Sequence, residues 1–223
     1  MAHMPRQPEP EVMVDALEAG AYGAADFSEV NAAFVERLVE LAGNCPAARA
    51  VDLGTGPADI PIRVVRAMAG WRVVAVDASP AMIELARRAV TAADLGESIE
   101  LVLADAKNTG LPGHSFDVVF SNSILHHIND SAALWREVRR LAAPGALVFL
   151  RDLARPPDPE AAWEIVDAYA GDESDLLREE YYRSLLAAYT PDEVRGQLDA
   201  TGLAPLRVDM ATDRHLDVFG RFP

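Results

Sequence analysis

Two glycines and three carboxylates are spaced in this sequence as a nucleotide site requires. Asp52-Leu53-Gly54-Thr55-Gly56-Pro57-Ala58-Asp59 sits between an apolar run and the start of an amphipathic one. Glycines there let the backbone turn sharply and let a ligand approach where a Cβ would stand in the way. Asp77 follows Gly56 by 21 residues at the end of the next apolar run, a place from which a carboxylate takes both hydroxyls of a ribose. Leu103-Ala104-Asp105-Ala106 closes a third run with an acceptor for an adenine amino group. The set fits a nicotinamide dinucleotide or S-adenosylmethionine. A pyrophosphate wants a third glycine three positions beyond Gly56, where Asp59 stands with a charge that repels phosphate. Asp52 likewise suits an ammonium group better than two phosphates, so the adenosyl amino acid is favoured.

A second constellation follows the fourth apolar run. His126 and His127 are adjacent, and Arg151-Asp152 ends the fifth run. An imidazole with a pKa near ~6.5 can take a proton from a reacting group, and Asp152 can contact or deprotonate an acceptor. The plainer readings are packing or capping for the histidines and an ion pair with Arg151 or Arg155 for Asp152. Adjacent histidines on regular structure cannot both face one site. No metal is expected, because no second His or carboxylate cluster stands nearby and Asp130 alone is too little.

The elements that must position these groups are legible as alternating runs. Apolar, Val-rich runs at 50–53, 72–76, 99–103, 118–121 and 146–150 alternate with amphipathic stretches at 60–69, 80–93 and 131–142. Gly70, Gly96 and Gly145 stand where helices should stop. The alternation predicts a doubly wound α/β domain with a parallel sheet and right-handed crossovers. Ahead of it, 27–41 carries a stripe of Val30, Phe34, Leu38 and Leu41 that predicts a helix packed on the sheet. After it, 156–190 breaks the rhythm with three prolines and a helical insertion. It leaves the carboxyl end of the fifth run, beyond which ligands of such sheets lie, so it is expected to cap the site with its stripe of Leu176, Leu177, Tyr181, Tyr182, Leu185 and Leu186 packed downward; a solvated helical hairpin away from the site is the plainer reading. Thr190-Pro191-Asp192-Glu193 opens a helix that Gly202 ends, and runs at 205–210 and 215–219 predict an antiparallel pair.

Length and composition set limits. The 223 residues are 50% hydrophobic and 25% charged, which suffices for one domain with a substantial core. We read 1–49 as leader and helix, 50–155 as the binding core, 156–190 as the cap and 191–223 as the final helix and hairpin. Acidic residues outnumber basic ones 35 to 20, for a net charge of -15. That charge argues against nucleic acid as a partner. No apolar run is long enough to cross a membrane, and Glu9, Glu11 and Asp15 stand where an export leader would be basic and then apolar. The expected location is the cytoplasm. A single cysteine, Cys45, cannot form an internal disulfide.

From Val51 to Leu150 the chain resembles the class I S-adenosylmethionine-dependent methyltransferases, in their small-molecule branch. The resemblance rests on the Asp52–Ala58 loop, on Val76-Asp77-Ala78-Ser79-Pro80-Ala81-Met82, on Asp105-Ala106 and on Phe116-Asp117-Val118-Val119. It continues through Ser121-Asn122-Ser123-Ile124-Leu125-His126-His127-Ile128 and Leu141-Ala142-Ala143-Pro144-Gly145. It implies a Rossmann-like sheet of seven strands, mostly parallel, with an antiparallel C-terminal hairpin. S-adenosylmethionine is the implied cofactor, held by Asp52, Gly54, Thr55, Gly56, Asp77, Ala78, Met82, Asp105, Ala106 and Asn122, with Tyr22 closing over it. It implies transfer of the methyl group by in-line displacement to a small-molecule acceptor near His126, His127 and Asp152. Ala58 replaces the family's third loop glycine, and its methyl is expected to shift the cofactor slightly. A non-catalytic module that only holds the cofactor is the alternative. A short-chain dehydrogenase is disfavoured because Lys107, the single lysine, lacks a tyrosine four residues away. The acceptor and the oligomeric state are not legible.

Overall fold

The computed structural model describes residues 4–10 and 27–222. Its strands are β1 (Ala48–Leu53), β2 (Trp71–Asp77), β3 (Ile99–Leu103), β4 (Phe116–Asn122), β5 (Ala142–Leu153), β6 (Arg207–Met210) and β7 (His215–Arg221). They form one sheet in the order β3-β2-β1-β4-β5-β7-β6. Strands β1 to β5 pair in parallel. Strand β7 runs antiparallel to both β5 and β6, so β6 again points with the rest. The seven-stranded, mostly parallel sheet and the antiparallel final hairpin are as the sequence predicts.

The helices are α1 (Ser28–Ala42), α2 (Asp59–Ala67), α3 (Pro80–Ala92), α4 (Ser131–Leu141), α5 (Pro159–Ala170), α6 (Asp175–Ala187) and α7 (Pro191–Thr201), with one 3-10 turn at Leu125–His127. Their starts are written in side chains. Ser79, Asp130, Asp158 and Ser174 each accept a backbone N–H from the first turn of α3, α4, α5 and α6. Thr190 and Glu193 form a reciprocal capping box on α7, and left-handed Gly202 closes that helix. Each such cap contributes about 1 kcal/mol.

Helices cover both faces, which is why the central strands are apolar almost continuously. In β1, Val51 and Leu53 point into a core shared with Trp135 and Leu134 of α4. The intervening Ala50 points to the other side, among Phe34 and Leu38 of α1. Phe34 stacks on Phe149 of β5 at 4.6 Å, so α1 is fixed to the sheet beside the carboxyl ends of its strands.

Several local expectations are corrected. The α1 stripe is rotated: Phe34, Val35, Leu38 and Ala42 are buried, while Val30 is exposed. Helix α3 ends at a left-handed Asp94 rather than at Gly96. Gly145 does not stop α4, which ends at Leu141; it is a left-handed residue in the irregular first part of β5, and its N–H donates to Phe222 O. In the insertion, Leu185 and Leu186 pack with Ala162, Val166 and Leu153, but Leu176 is 56% exposed, because only the last two turns of α6 reach the body. There α6 packs on the 3-10 turn. Residues 4–10 lie along its end, with Met4 N donating to Pro157 O and Gln7 N to Leu186 O. Among the described residues, no helix is long and apolar enough to cross a membrane.

Candidate functional site

The strand order reverses between β1 and β4, and in such sheets ligands settle beyond the carboxyl ends of the strands at that crevice. The glycine loop leaves β1 there. Gly54 N and Thr55 N both donate to Val76 O of β2 at 2.9 Å. Gly54 has φ +77°, and a Cβ on it would come within 2.6 Å of Ile124 Cδ1. Gly56 has φ +54°, and a Cβ there would meet nothing within 4 Å. The first glycine is demanded by backbone and packing, the second by backbone alone. Ala58 is left-handed (φ 67°) and wholly buried in the core beneath the loop. Ala58 is therefore not among the residues that line the crevice. A non-glycine residue in this conformation costs about 1–2 kcal/mol, offset in part by burial of its methyl.

Asp77, at the end of β2, braces the loop. Its Oδ2 accepts Gly56 N and its Oδ1 accepts Ser79 N, each at 2.8 Å. Burial raises its pKa, against the lowering pull of those N–H groups. Each carboxylate oxygen has a second lone pair, so both can still receive a hydroxyl. Asp52 is 2% exposed. Its Oδ2 and the Thr55 Oγ1 are buried with no hydrogen-bond partner among the described residues. Burial pushes its carboxyl up to about 7; the nearby Thr55 hydroxyl lowers it without reaching bonding geometry, and the Asp77 charge raises it further.

A cavity of about 340 Å³ opens here, lined by Asp52, Gly54, Thr55, Gly56 and Asn122 together with Phe27, Asn31 and Ser123. Its volume is at the small end for a ligand site. Asn31 was not legible as a site residue, since nothing local distinguishes it from any polar residue on a helix. Its Nδ2 donates to Asp59 Oδ2 at 2.8 Å, which also pairs with Arg63 at 2.6 Å. Asp59 is thus charge-matched, and the argument that it repels phosphate loses weight. The remaining predicted cofactor residues lie along the β2–β3 edge outside this lining. Ala78 is exposed, Met82 and Ala106 are buried, and Asp105 Oδ1 accepts the N–H of Lys107 at 2.8 Å. Tyr22 lies outside the described residues.

On the far side of Ile124, Asp152 and His126 form a buried pair. Asp152 Oδ1 is 2.6 Å from His126 Nδ1, and Asp152 Oδ2 accepts Leu125 N at 2.6 Å. Burial works against charge on both groups. The attraction prevails, so the His126 pKa is raised and that of Asp152 lowered. The plainer ion pairs do not form: Arg151 forks onto Asp217 at 2.7 and 2.9 Å, and Arg155 pairs with Glu193 at 2.6 Å.

Both histidines face one point, against expectation, with ring centroids 4.1 Å apart. The segment is a single 3-10 turn entered through left-handed Ser123, so the rule for regular structure does not apply. At that point stands Glu9, whose Oε1 is 3.0 Å from His127 Nδ1 and 3.7 Å from His126 Nε2. The premise of the sequence argument against a metal does not hold here, because a third group of ligating type, Glu9, is brought from the N-terminal segment. Burial would raise the Glu9 pKa, but the hydrogen bond and charge of His127 lower it. Neither histidine lines the cavity at the loop; the two places adjoin through the Gly54–Ile124 contact.

Residues 51–150 match the family model described as a methyltransferase domain. The chain is similar to the 27-O-demethylrifamycin SV methyltransferase of Amycolatopsis mediterranei, 28% identical over 183 residues, covering 82% of this chain and 63% of that protein. It is similar to the demethylmenaquinone methyltransferase of a Roseiflexus species, 33% identical over 127 residues, covering 54% of this chain and 49% of that protein. The chain thus spans less than two thirds of the length of these relatives. Its fold is shared with an S-adenosylmethionine-dependent methyltransferase from Aquifex aeolicus, at TM-score 0.69 and 18% identity over 95% of this chain and 100% of that one. It is also shared with the Haemonchus contortus phosphoethanolamine N-methyltransferase 2 in complex with S-adenosylmethionine, at TM-score 0.69 and 19% identity over 89% and 44%.

Proposed function

We propose that the chain is a class I S-adenosylmethionine-dependent methyltransferase, a reading supported by the methyltransferase-domain match over residues 51–150 and by its methyltransferase relatives, and that it transfers the methyl group of S-adenosylmethionine to a small molecule. The observation that carries the reading is the buried Asp52 carboxylate on the cavity wall, with one oxygen unpartnered. Such a group costs stability unless a ligand answers it, and a cationic amino group does so where a diphosphate would not. Asp77 takes the ribose hydroxyls with the lone pairs that Gly56 and Ser79 leave free. Met82, Asp105 and Ala106 serve the adenine along the neighbouring edge, beside Ala78.

When bound, the cofactor supplies an electrophilic methyl group on a sulfonium. The protein's part is to hold the acceptor in line with it and to exclude water, which can remove several kcal/mol of barrier. We place the acceptor against His126, His127 and Asp152 and read residues 156–190 as the cap that selects it, since α6 packs on the histidine turn. The net charge of -15 supports a partner other than nucleic acid, and the single cysteine suits a cytoplasmic location.

A second reading, a module that holds the cofactor without catalysis, is favoured by one observation: the histidines are outside the cavity lining. One experiment separates the two. Calorimetry with S-adenosylhomocysteine and with a nicotinamide dinucleotide should show micromolar binding of the first alone. A screen of small hydroxyl and amine acceptors with methyl-labelled cofactor should then show transfer. Equal binding of the dinucleotide would sink the cofactor assignment; binding without transfer to any acceptor class would leave the second reading.

A further inference from the structure

Glu9, His126 and His127 each offer one atom of the kind that ligates metals, and these three atoms lie within 4.8 Å of one another. Two sides of the triangle measure 3.0 Å and 3.7 Å. Around a tetrahedral zinc ion with bonds of about 2.0–2.2 Å, donors stand roughly 3.3 to 3.6 Å apart. The two measured sides straddle that spacing.

The donors are also supported from behind. His126 Nδ1 is engaged by Asp152 at 2.6 Å, which fixes the ring and leaves Nε2 as its outward donor. A carboxylate behind the histidine is the arrangement that orients imidazole ligands and strengthens their basicity. Asp152 is itself held by the N–H groups of Leu125 and Leu153. Ser184 Oγ donates to Glu9 Oε1 at 3.2 Å. Arg6 anchors the segment that delivers Glu9, donating to the carbonyls of His126, Ile128 and Ala187. Its guanidinium is a nearby cation, faced by the carboxylates of Glu9 and Asp152. The His127 side chain is 30% exposed, so one side of the triangle opens to solvent.

We propose that Glu9, His126 and His127 form a site for one divalent transition-metal cation of zinc's chemistry, with its remaining position open to an oxygen or nitrogen donor. Two imidazoles and one carboxylate suit zinc, cobalt or a similar ion, whereas magnesium or calcium would require more oxygen ligands. Three protein ligands with an open fourth position is the pattern of a zinc site that binds a reactant, not one that only braces the fold. The use of the site rests on the function proposed above: the open position takes the donor atom of the methyl acceptor. The existence of the site does not rest on it.

The test uses the full chain, stripped with a chelator and dialysed against zinc or cobalt alone. One equivalent of zinc per chain is expected, and cobalt should give the visible absorption of a low-symmetry, four- or five-coordinate ion. Glu9→Gln and His127→Ala should each weaken binding at least ~10-fold, and Asp152→Asn by about 10- to 100-fold. S-adenosylhomocysteine binding, measured on the same samples, reports that each variant is folded. It also separates the claims, since metal binding without cofactor binding would overturn the proposed function and leave this one standing. Substoichiometric zinc with no cobalt absorption would overturn the site. So would a folded Glu9→Gln chain that binds as tightly as the parent, which would reveal adventitious surface binding.

Discussion

Asp152 Oδ1 and His126 Nδ1 are 2.6 Å apart with both side chains nearly sealed from solvent. The two groups come from the end of β5 and from the turn beyond β4, so their pairing ties the histidine turn to the sheet. Removing one partner of such a pair leaves a buried charge uncompensated, typically at a cost of about 3–5 kcal/mol. Asp152→Asn is expected to lower stability by roughly 3 kcal/mol in urea unfolding, with cofactor affinity held within a few fold because Asp52 and Asp77 are untouched. A variant as stable as the parent would show that the pair is not ionised.

Asp52 is expected to make cofactor affinity depend on pH. Its carboxyl is pushed up to about 7 by burial, so it is neutral below that pH and charged above it. A cationic amino group prefers the charged form. Affinity for S-adenosylhomocysteine is therefore expected to rise from pH 6 to pH 8 by up to about tenfold, with release of a proton on binding at the lower pH. In Asp52→Asn the profile should be flat. A parent profile without slope, followed by calorimetry in buffers of different ionisation heat, would refute the role.

Asp77 is expected to matter twice, as ribose ligand and as the brace between the loop and α3. Asp77→Ala should weaken cofactor binding at least ~10-fold. Asp77→Asn should also fail, because an amide cannot accept from both Gly56 and Ser79 with both of its heavy atoms. Retention of affinity in the asparagine variant, seen by calorimetry, would contradict the brace.

Replacing residues 159–187 by a short Gly-Ser linker tests the cap. Cofactor binding should survive, since none of the loop residues belongs to the insertion's apolar cluster, while methyl transfer should be lost or its acceptor range broadened. Normal turnover and selectivity in the shortened chain would remove the cap from the mechanism.

The sequence disclosed what is local and repetitive. Valine-rich runs flanked by glycine marked the strands because both faces of the sheet are covered, and Thr190-Pro191-Asp192-Glu193 marked α7 because a capping box is completed within four residues. The strand-end positions of Asp52 and Asp77 are legible because a doubly wound sheet delivers strand ends to one edge. Pairings between distant segments were not. Glu9 meets the histidines only because residues 4–10 follow the end of α6, and no local pattern encodes that path. Asn31 reaches the cavity because α1 is rotated by the seating of Phe34 on Phe149, a packing choice that a stripe of apolar residues leaves undetermined. Leu176 belongs to the apolar stripe yet is exposed for the same reason: periodicity gives the face of a helix but not how far along it the contact extends.

The two loop glycines differ in what they would tolerate. A methyl at position 56 would enter open space, and its penalty would be conformational alone. A methyl at position 54 would collide with Ile124, two residues before His126, and would lever the histidine turn away from β1. The missing side chain of Gly54 is thus a hinge pin shared by two compartments. An injury there would be felt in both the loop cavity and the histidine turn, whereas one at Gly56 would stay with the loop.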